Sequence, residues 1–331
     1  MGDKLVNIKN LTLYFPSADG EVQVLRGVDL HINKGEILGL VGESGSGKSL
    51  TSLAVMGLVP KPRGKMEGEI FYQGRDLLAT SAEEMRVLRG KSISMIFQEP
   101  MTSLNPVYTI GDQIIEAILA HERISKKKAL ERATELLHKV GVPAPEERVN
   151  SYPHQLSGGM RQRAMIAMAL SCSPELLIAD EPTTALDVTI QAQILDLIVH
   201  LQKNSGMSVL LITHALGVVA ETADRVAVMY GGHIVETATT KELFDRPMHP
   251  YTLGLLRSIP RIDKSVPSLS AIPGMIPAPR DFSVGCKFSS RCTLVAERCL
   301  NEEPELLSVS PGHFSRCWRT DEIKDLKEEA H

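Results

Sequence analysis

Residues 42–49, Gly42-Glu43-Ser44-Gly45-Ser46-Gly47-Lys48-Ser49, complete the phosphate-loop pattern G-x-x-x-x-G-K-[ST]. An apolar, strand-like stretch (Ile37-Leu38-Gly39-Leu40-Val41) precedes them, and a helix-like stretch from Leu50 to Leu58 follows. Strand, tight loop and helix in succession commit this part of the chain to an α/β arrangement. Glycines let the backbone wrap closely around a phosphate chain, and the N–H groups at the start of the following helix point positive dipole at it. Lys48 is placed to reach β- and γ-phosphates, and the Ser49 hydroxyl is a candidate Mg²⁺ ligand. Gly42 through Leu50 are therefore the first candidate nucleotide-contacting residues.

The chain has 331 residues, 43% of them hydrophobic, enough for one large core with appendages. A net charge of −4 gives no electrostatic case for nucleic acid. No apolar run approaches the ~20 residues needed to span a bilayer. The first residues, Met1-Gly2-Asp3-Lys4-Leu5-Val6, lack the apolar core of a signal peptide. A cytoplasmic chain is expected, with any membrane role supplied through a partner.

Short strands are expected at Leu5–Ile8, Leu11–Phe15, Val28–Ile32 and Glu36–Val41, with a turn at Asp19-Gly20 and more strand over 68–98, including Ile93–Phe97. Ile114, Ile115, Ile118, Leu119, Ala129, Ala133, Leu136 and Leu137 then recur at helical spacing, which predicts a helical insert, about 99–170. Strand character returns at Leu176–Ala179 and Val209–Thr213, each after a helical segment, as in a mostly parallel sheet. From about residue 246 prolines accumulate and periodicity fades, predicting a linker that wraps into a small cysteine-bearing extension over 246–331. Asp321–Ala330 reads as a frayed helix or tail.

Two further constellations accompany the loop. Leu176 to Ala179 runs into Asp180-Glu181, an apolar strand ending in two carboxylates. Asp180 is a candidate Mg²⁺ holder, and Glu181 is a candidate to polarise an attacking water. Leu156-Ser157-Gly158-Gly159-Met160 opens an Ala/Met-rich helix and forms a second anion nest, with Ser157 also suited to cap that helix.

These motifs, in this order, resemble the ATP-binding subunits of ABC transporters. The resemblance implies a P-loop NTPase (RecA-like) core with an antiparallel β subdomain and a helical subdomain, over 1–245. It makes Leu156–Gly159 the signature segment, Gln98 the Q-loop glutamine and a Mg²⁺ ligand, Ala185-Leu186-Asp187 the D-loop and His214 the switch histidine. Phe15 is the aromatic expected to stack on adenine, with Tyr14 as the neighbouring candidate. Ala215 stands where the family usually carries aspartate, a departure that bears on how His214 is held. The family pairs two such subunits head to tail, so that each signature segment caps the nucleotide held by the other. The segment Glu99–Pro106 would then touch a membrane subunit.

His249-Pro250-Tyr251-Thr252, Ile272-Pro273-Gly274, Gly285-Cys286-Lys287-Phe288, Arg291-Cys292 and Cys317-Trp318 extend the match to the "D"-type ATPases of oligopeptide and dipeptide importers. The expected activity is ATP hydrolysis, with ATP and Mg²⁺, at the cytoplasmic face of the membrane. The expected partners are a second ATPase subunit (a paralogue, or a copy of the same chain), two permease subunits and, indirectly, a peptide-binding protein. A nickel-type cargo or a non-transport role is the alternative. Cys286, Cys292, Cys299 and Cys317 are spaced C-x5-C-x6-C-x17-C, without a close C-x2–4-C pair. This spacing, with the resemblance, points to a [4Fe–4S] cluster serving as a structural staple; zinc or unligated thiols are the alternatives. Cys172 reads as a small buried residue.

Overall fold

The computed structural model describes residues 3–18, 20–59, 64–98, 103–184, 186–259 and 272–323. Asp19, Glu99 to Thr102, Ala185, Pro260 and most of the expected tail (324–331) lie outside these residues. Twelve strands occur among the described residues: β1 (Lys4–Ser17), β2 (Gly20–Asn33), β3 (Ile37–Val41), β4 (Lys65–Tyr72), β5 (Arg75–Asp76), β6 (Ile93–Ile96), β7 (Leu176–Asp180), β8 (Ser208–Thr213), β9 (Arg225–Tyr230), β10 (His233–Thr239), β11 (Leu307–Ser310) and β12 (His313–Ser315). Two compact units divide the chain. The first joins residues 1–78 to 213–331, and the second is 79–212.

In the first unit, β2, β1, β4 and β5 form an antiparallel sheet in that order. The stretches expected as separate strands at Leu5–Ile8 and Leu11–Phe15 are one long strand. It is interrupted by a register shift between Ile8 and Leu11, where Asn10 takes a φ of 46°. A short bulge of this kind breaks the alternation that sequence patterning reads. β3 (Ile-Leu-Gly-Leu-Val) is buried along its whole length and runs parallel to β9. Strands covered on both faces carry such continuous apolar runs. β9 turns into β10 through Gly231-Gly232, with φ values of 53° and 84°. Two successive positive φ angles make the hairpin turn that matches strand twist, and glycine takes them without strain.

The described residues of the 246–331 segment are bound tightly into this unit. β12 pairs antiparallel with β10, and β11 with β12. Glu236 is fully buried, accepting the Met248 N–H at 2.6 Å and lying 2.7 Å from His313 Nε2. His249 caps the helix Pro250–Arg257 by accepting the Tyr251 N–H on Nδ1 at 3.1 Å, and Pro250 supplies the preset first turn. Burial lowers the His249 pKa to about 3, which keeps that nitrogen an acceptor at neutral pH. Tyr230, at 0% exposure, packs edge-on against Tyr251, Phe282 and Phe288, with centroids 4.7, 6.3 and 5.1 Å away.

In the second unit, β6, β7 and β8 are parallel, and Leu176–Asp180 and Ser208–Thr213 are buried throughout. Phe97, expected to end a strand, lies outside β6 and is 41% exposed. The insert is helical as the spacing predicts, with helices at Ile110–Leu119, Lys126–Lys139, Pro145–Arg148 and Gly158–Ala169, and a longer one at Val188–Ser205. Thr109, Ser125, Ser157 and Asp187 each accept a backbone N–H at the start of the helix that follows, the placement an N-cap requires. Among the described residues no helix is long and apolar enough to cross a membrane.

The Tyr230 cluster yields a stability prediction. Tyr230→Ala should lower the unfolding free energy by about 3–5 kcal/mol, as deletion of a fully buried aromatic does elsewhere. Urea unfolding followed by circular dichroism measures it, and a loss under about 1 kcal/mol would mean that these rings do not hold the extension down.

Candidate functional site

β3 delivers the chain into the phosphate loop, and the loop closes on backbone. A Cβ on Gly42 would lie 2.2 Å from the Met229 carbonyl oxygen and 2.9 Å from Ser46 Oγ. On Gly47, which caps the next helix at φ 109°, it would meet Leu25 and Met229, each at 2.8 Å. A side chain at Gly42 would push the loop off the strand beneath it, and at Gly47 the positive φ itself disfavours one. The Gly231-Gly232 turn supports the loop from below. Gly232 N–H donates to Ser46 O at 2.9 Å, and Arg26 N–H donates to Gly232 O at 3.0 Å.

Lys48 opens the helix Lys48–Val55 and is only 5% exposed. Its ammonium donates to Gly42 O at 2.8 Å and Glu43 O at 3.0 Å, so it lies along the inside of the loop. Ser46 Oγ is buried with no hydrogen-bond partner among the described residues. A buried hydroxyl is costly unless something hydrogen-bonds it, and a phosphate oxygen against this loop would do so. Ser44, Gly45 and Ser49 are exposed at the loop's outer side, and Leu50 is half-buried. Phe15, half-buried, lies on the same face of β1 as Leu13, whose cross-strand partner Leu25 lies beside Gly47. Tyr14, one residue away, faces the other side, and its hydroxyl accepts from Gln23 Nε2 at 3.2 Å. His214 is exposed just after β8, and Ala215 N–H donates to Thr213 Oγ1 at 3.0 Å.

In the second unit the carboxylate pair ends β7. Asp180 is 5% exposed. Glu181 takes a positive φ of 45° while its N–H donates to Ile212 O at 2.9 Å. A non-glycine residue held there stores backbone strain, and such strain concentrates at functional sites. Two residues 83 positions apart meet here: Gln98 Nε2 donates to Glu181 Oε2 at 2.9 Å. Thr184 Oγ1 donates to the same oxygen at 3.0 Å. Two donors on one oxygen fix the orientation of the carboxylate.

Ser157 accepts the Met160 N–H at 3.3 Å, which orients the start of the signature helix. A Cβ on Gly159 would meet Ile190 Cγ2 at 3.1 Å, and one on Gly158 would meet Leu186 Cδ2 at 3.6 Å. Asp187 is exposed, and its carboxylate accepts the Ile190 N–H at 3.0 Å, so the expected D-loop aspartate is here the cap of the helix Val188–Ser205.

The expected [4Fe–4S] cluster, and zinc as its alternative, are corrected by the structure. Cys286, Cys292, Cys299 and Cys317 line one cavity, but it holds about 10 Å³, the space of a single water. Among the described residues no group of three or more His, Cys, Asp or Glu side chains is arranged to hold a metal ion. Burial pushes the Cys286 thiol up to about 11 and Cys317 up to about 12, and raises Cys292 as well. This apolar environment favours the neutral form of these three thiols. All four are free cysteines, packed as small apolar groups among Phe288, Leu294 and Trp318. Cys172 is half-buried, and desolvation raises its pKa too.

One contact had no signal in the sequence. Arg291, 248 residues from the loop, forms a two-pronged ion pair with Glu43: Nη1 to Oε2 at 2.7 Å and Nη2 to Oε1 at 3.0 Å. The Glu43 N–H donates to the Tyr251 hydroxyl at 2.8 Å. No motif marks a pairing between such distant residues.

Comparison with known proteins finds two matching families and close relatives. The family described as "ABC transporter" matches residues 25–184, and "Oligopeptide/dipeptide transporter, C-terminal region" matches 235–299. The oligopeptide transport ATP-binding protein OppD of Bacillus subtilis is 54% identical over 95% of this chain and 88% of its own length. A probable peptide ABC transporter ATP-binding protein of Sinorhizobium fredii, y4tR, is 52% identical over 98% of this chain and 97% of its own. Among solved structures, the dimeric post-hydrolysis state of the ATP-binding cassette MJ0796, bound to ADP and Pi, matches with a TM-score of 0.64 and 28% identity, over 71% of this chain and 98% of that one.

The buried thiols predict a pH profile. At pH 8, alkylation of Cys286 and Cys317 by iodoacetamide should run at least about 100-fold slower than that of free cysteine, because the thiolate reacts and both pKa values lie well above 8.5. The rate should rise about tenfold per pH unit toward pH 10 as thiolate forms. Mass spectrometry of modified peptides reads both, and a fast or pH-independent rate would contradict the neutral-thiol description.

Proposed function

Because this chain belongs to the ATP-binding subunits of oligopeptide/dipeptide ABC transporters, we propose that it hydrolyses ATP to drive import of dipeptides or oligopeptides through a membrane permease. The observation that carries the hydrolytic part is the Gln98–Glu181 hydrogen bond on a residue of positive φ, a carboxylate oriented before any substrate arrives. The cargo rests on near-full-length identity to OppD, an oligopeptide transport protein.

In this reading Gly42 through Leu50 wrap the phosphate chain, with backbone N–H groups aimed at its oxygens and the Lys48 ammonium shifting from loop carbonyls to phosphate. Ser46 Oγ gains the partner it lacks within the loop. Phe15 stacks on the adenine ring. Ser49, Gln98 and Asp180 would hold Mg²⁺, which when bound would neutralise phosphate charge. Glu181 orients the attacking water and takes its proton on a carboxylate oxygen, while His214 donates toward the γ-phosphate. Ser157, Gly158, Gly159 and Asp187 serve the nucleotide of a second ATPase subunit, a paralogue or another copy. The dimeric MJ0796 cassette bound to ADP and Pi supports that pairing. The domain reading remains an ATPase domain over 1–245 with an importer-type extension over 246–331. Docked on two permease subunits at the cytoplasmic membrane face, the pair opens and closes as ATP is bound and split. It meets the extracytoplasmic peptide-binding protein only through the permease.

Two variants test this. Glu181→Gln should lower ATP turnover by at least about 100-fold while ATP binding persists, since the base is lost but the loop is not. Lys48→Ala should raise the Kd for ATP more than about tenfold by removing a charge-assisted contact to phosphate. Turnover by phosphate release and Kd by calorimetry, with the permease complex present, decide the matter. Near-normal turnover in Glu181→Gln would remove that residue from its role, and absence of Mg²⁺-dependent ATP binding would overturn the reading.

A further inference from the structure

The phosphate loop carries a carboxylate, Glu43, at its second position, within a loop read as holding a triphosphate. Like charges at such range repel, and a part-buried site screens them poorly. Every polar group of Glu43 is engaged. Its C=O accepts from Lys48 Nζ at 3.0 Å, its N–H donates to Tyr251 Oη at 2.8 Å, and its carboxylate is gripped at both oxygens by Arg291. The Arg291 side chain is 4% exposed, against 33% for Glu43. Backbone carbonyls hold the guanidinium from the other side, with Nε on Pro273 O at 2.8 Å and Nη2 on Gly274 O at 3.1 Å. Its carbon lies 5.8 Å from the centre of the Tyr230 ring. A fork locked at so many points stays on Glu43 and does not swing out to meet phosphate itself.

We propose that Arg291 is a positioning residue of the nucleotide site. Reaching in from the cysteine-bearing segment, it cancels the charge of Glu43 and so allows an acidic phosphate loop to accept a triphosphate. The inference rests on reading residues 42–49 as the ATP-binding loop. It gives the extension a role in nucleotide affinity, separate from any contact with permease or cargo.

The test is a double-mutant cycle of charge-neutralising substitutions on the full chain, with ATP and Mg²⁺ titrated by calorimetry. Arg291→Met should raise the Kd for ATP about tenfold, because it leaves the Glu43 carboxylate unpaired beside the phosphates. The penalty should shrink to about threefold at 0.5 M KCl, since salt screens charge but not packing. Glu43→Gln alone should tighten ATP about two- to threefold, because Arg291 keeps its charge and its carbonyl partners. Glu43→Gln combined with Arg291→Met should return to within about threefold of the unsubstituted protein. A double variant as weak as Arg291→Met would overturn the proposal, since Arg291 would then act only as a strut for residues 272–274. A penalty indifferent to salt would do the same. Should Arg291→Met fail to fold, Glu43→Gln decides alone, and unchanged or weaker ATP binding in it overturns the proposal. If the unsubstituted chain binds no ATP, the reading of the loop itself fails, an outcome separate from normal binding with no response to either substitution.

Discussion

A loop that presents backbone N–H groups to an anion can tolerate no side chain between itself and the strand beneath it. In this protein the tightest expression of that rule is Gly42, where an added Cβ would stand 2.2 Å from Met229 O. Much of the first unit follows from it. β9 runs parallel to β3 and ends next to the loop, and the Gly231-Gly232 turn carries a hydrogen bond up to Ser46. A Cβ on Gly232 would lie 2.4 Å from Val24 O, so the turn also sets how closely β2 approaches. Lys48 is drawn into the interior because the loop's own carbonyls solvate its ammonium.

The described part of the extension is fastened without a metal site. A proline-rich segment with few apolar residues needs fastening, and a four-cysteine cluster is one way to supply it. Here aromatic packing around Tyr230, the pairing of β12 with β10, and the buried Glu236–His313 contact do the fastening. The thiols are left to fill space. Cys286 packs against the cluster around Tyr230, and burial there raises both the Cys286 thiol and the Tyr230 phenol.

Motifs whose members lie close in the chain were legible, because their chemistry is local. The loop at 42–49 has its strand before it and its helix after it. Ser157 caps a helix, and the carboxylates at 180–181 end a strand buried throughout. The helical insert followed from 3.6-residue spacing alone. β9, β10 and the β11–β12 hairpin were not legible. β9 and β10 are buried on both faces and so lack alternation, and β11 and β12 are too short to show a period. The cysteine spacing pointed to a metal, because spacing records which thiols could converge and says nothing of the space left between them or of their protonation.

The linear order of residues by itself determined a phosphate-binding loop between strand and helix, a helical insert and a carboxylate pair. Each depends on neighbours within a few positions, where backbone geometry leaves little choice. Tertiary structure alone decided that Gln98 and Thr184 share one oxygen of Glu181 and that burial favours the neutral thiols of Cys286, Cys292 and Cys317. It alone joined Arg291 to Glu43 across 248 positions. Which distant charges meet depends on how sheets and loops bury their apolar faces against one another, and that is a property of the packed whole rather than of any window of the chain.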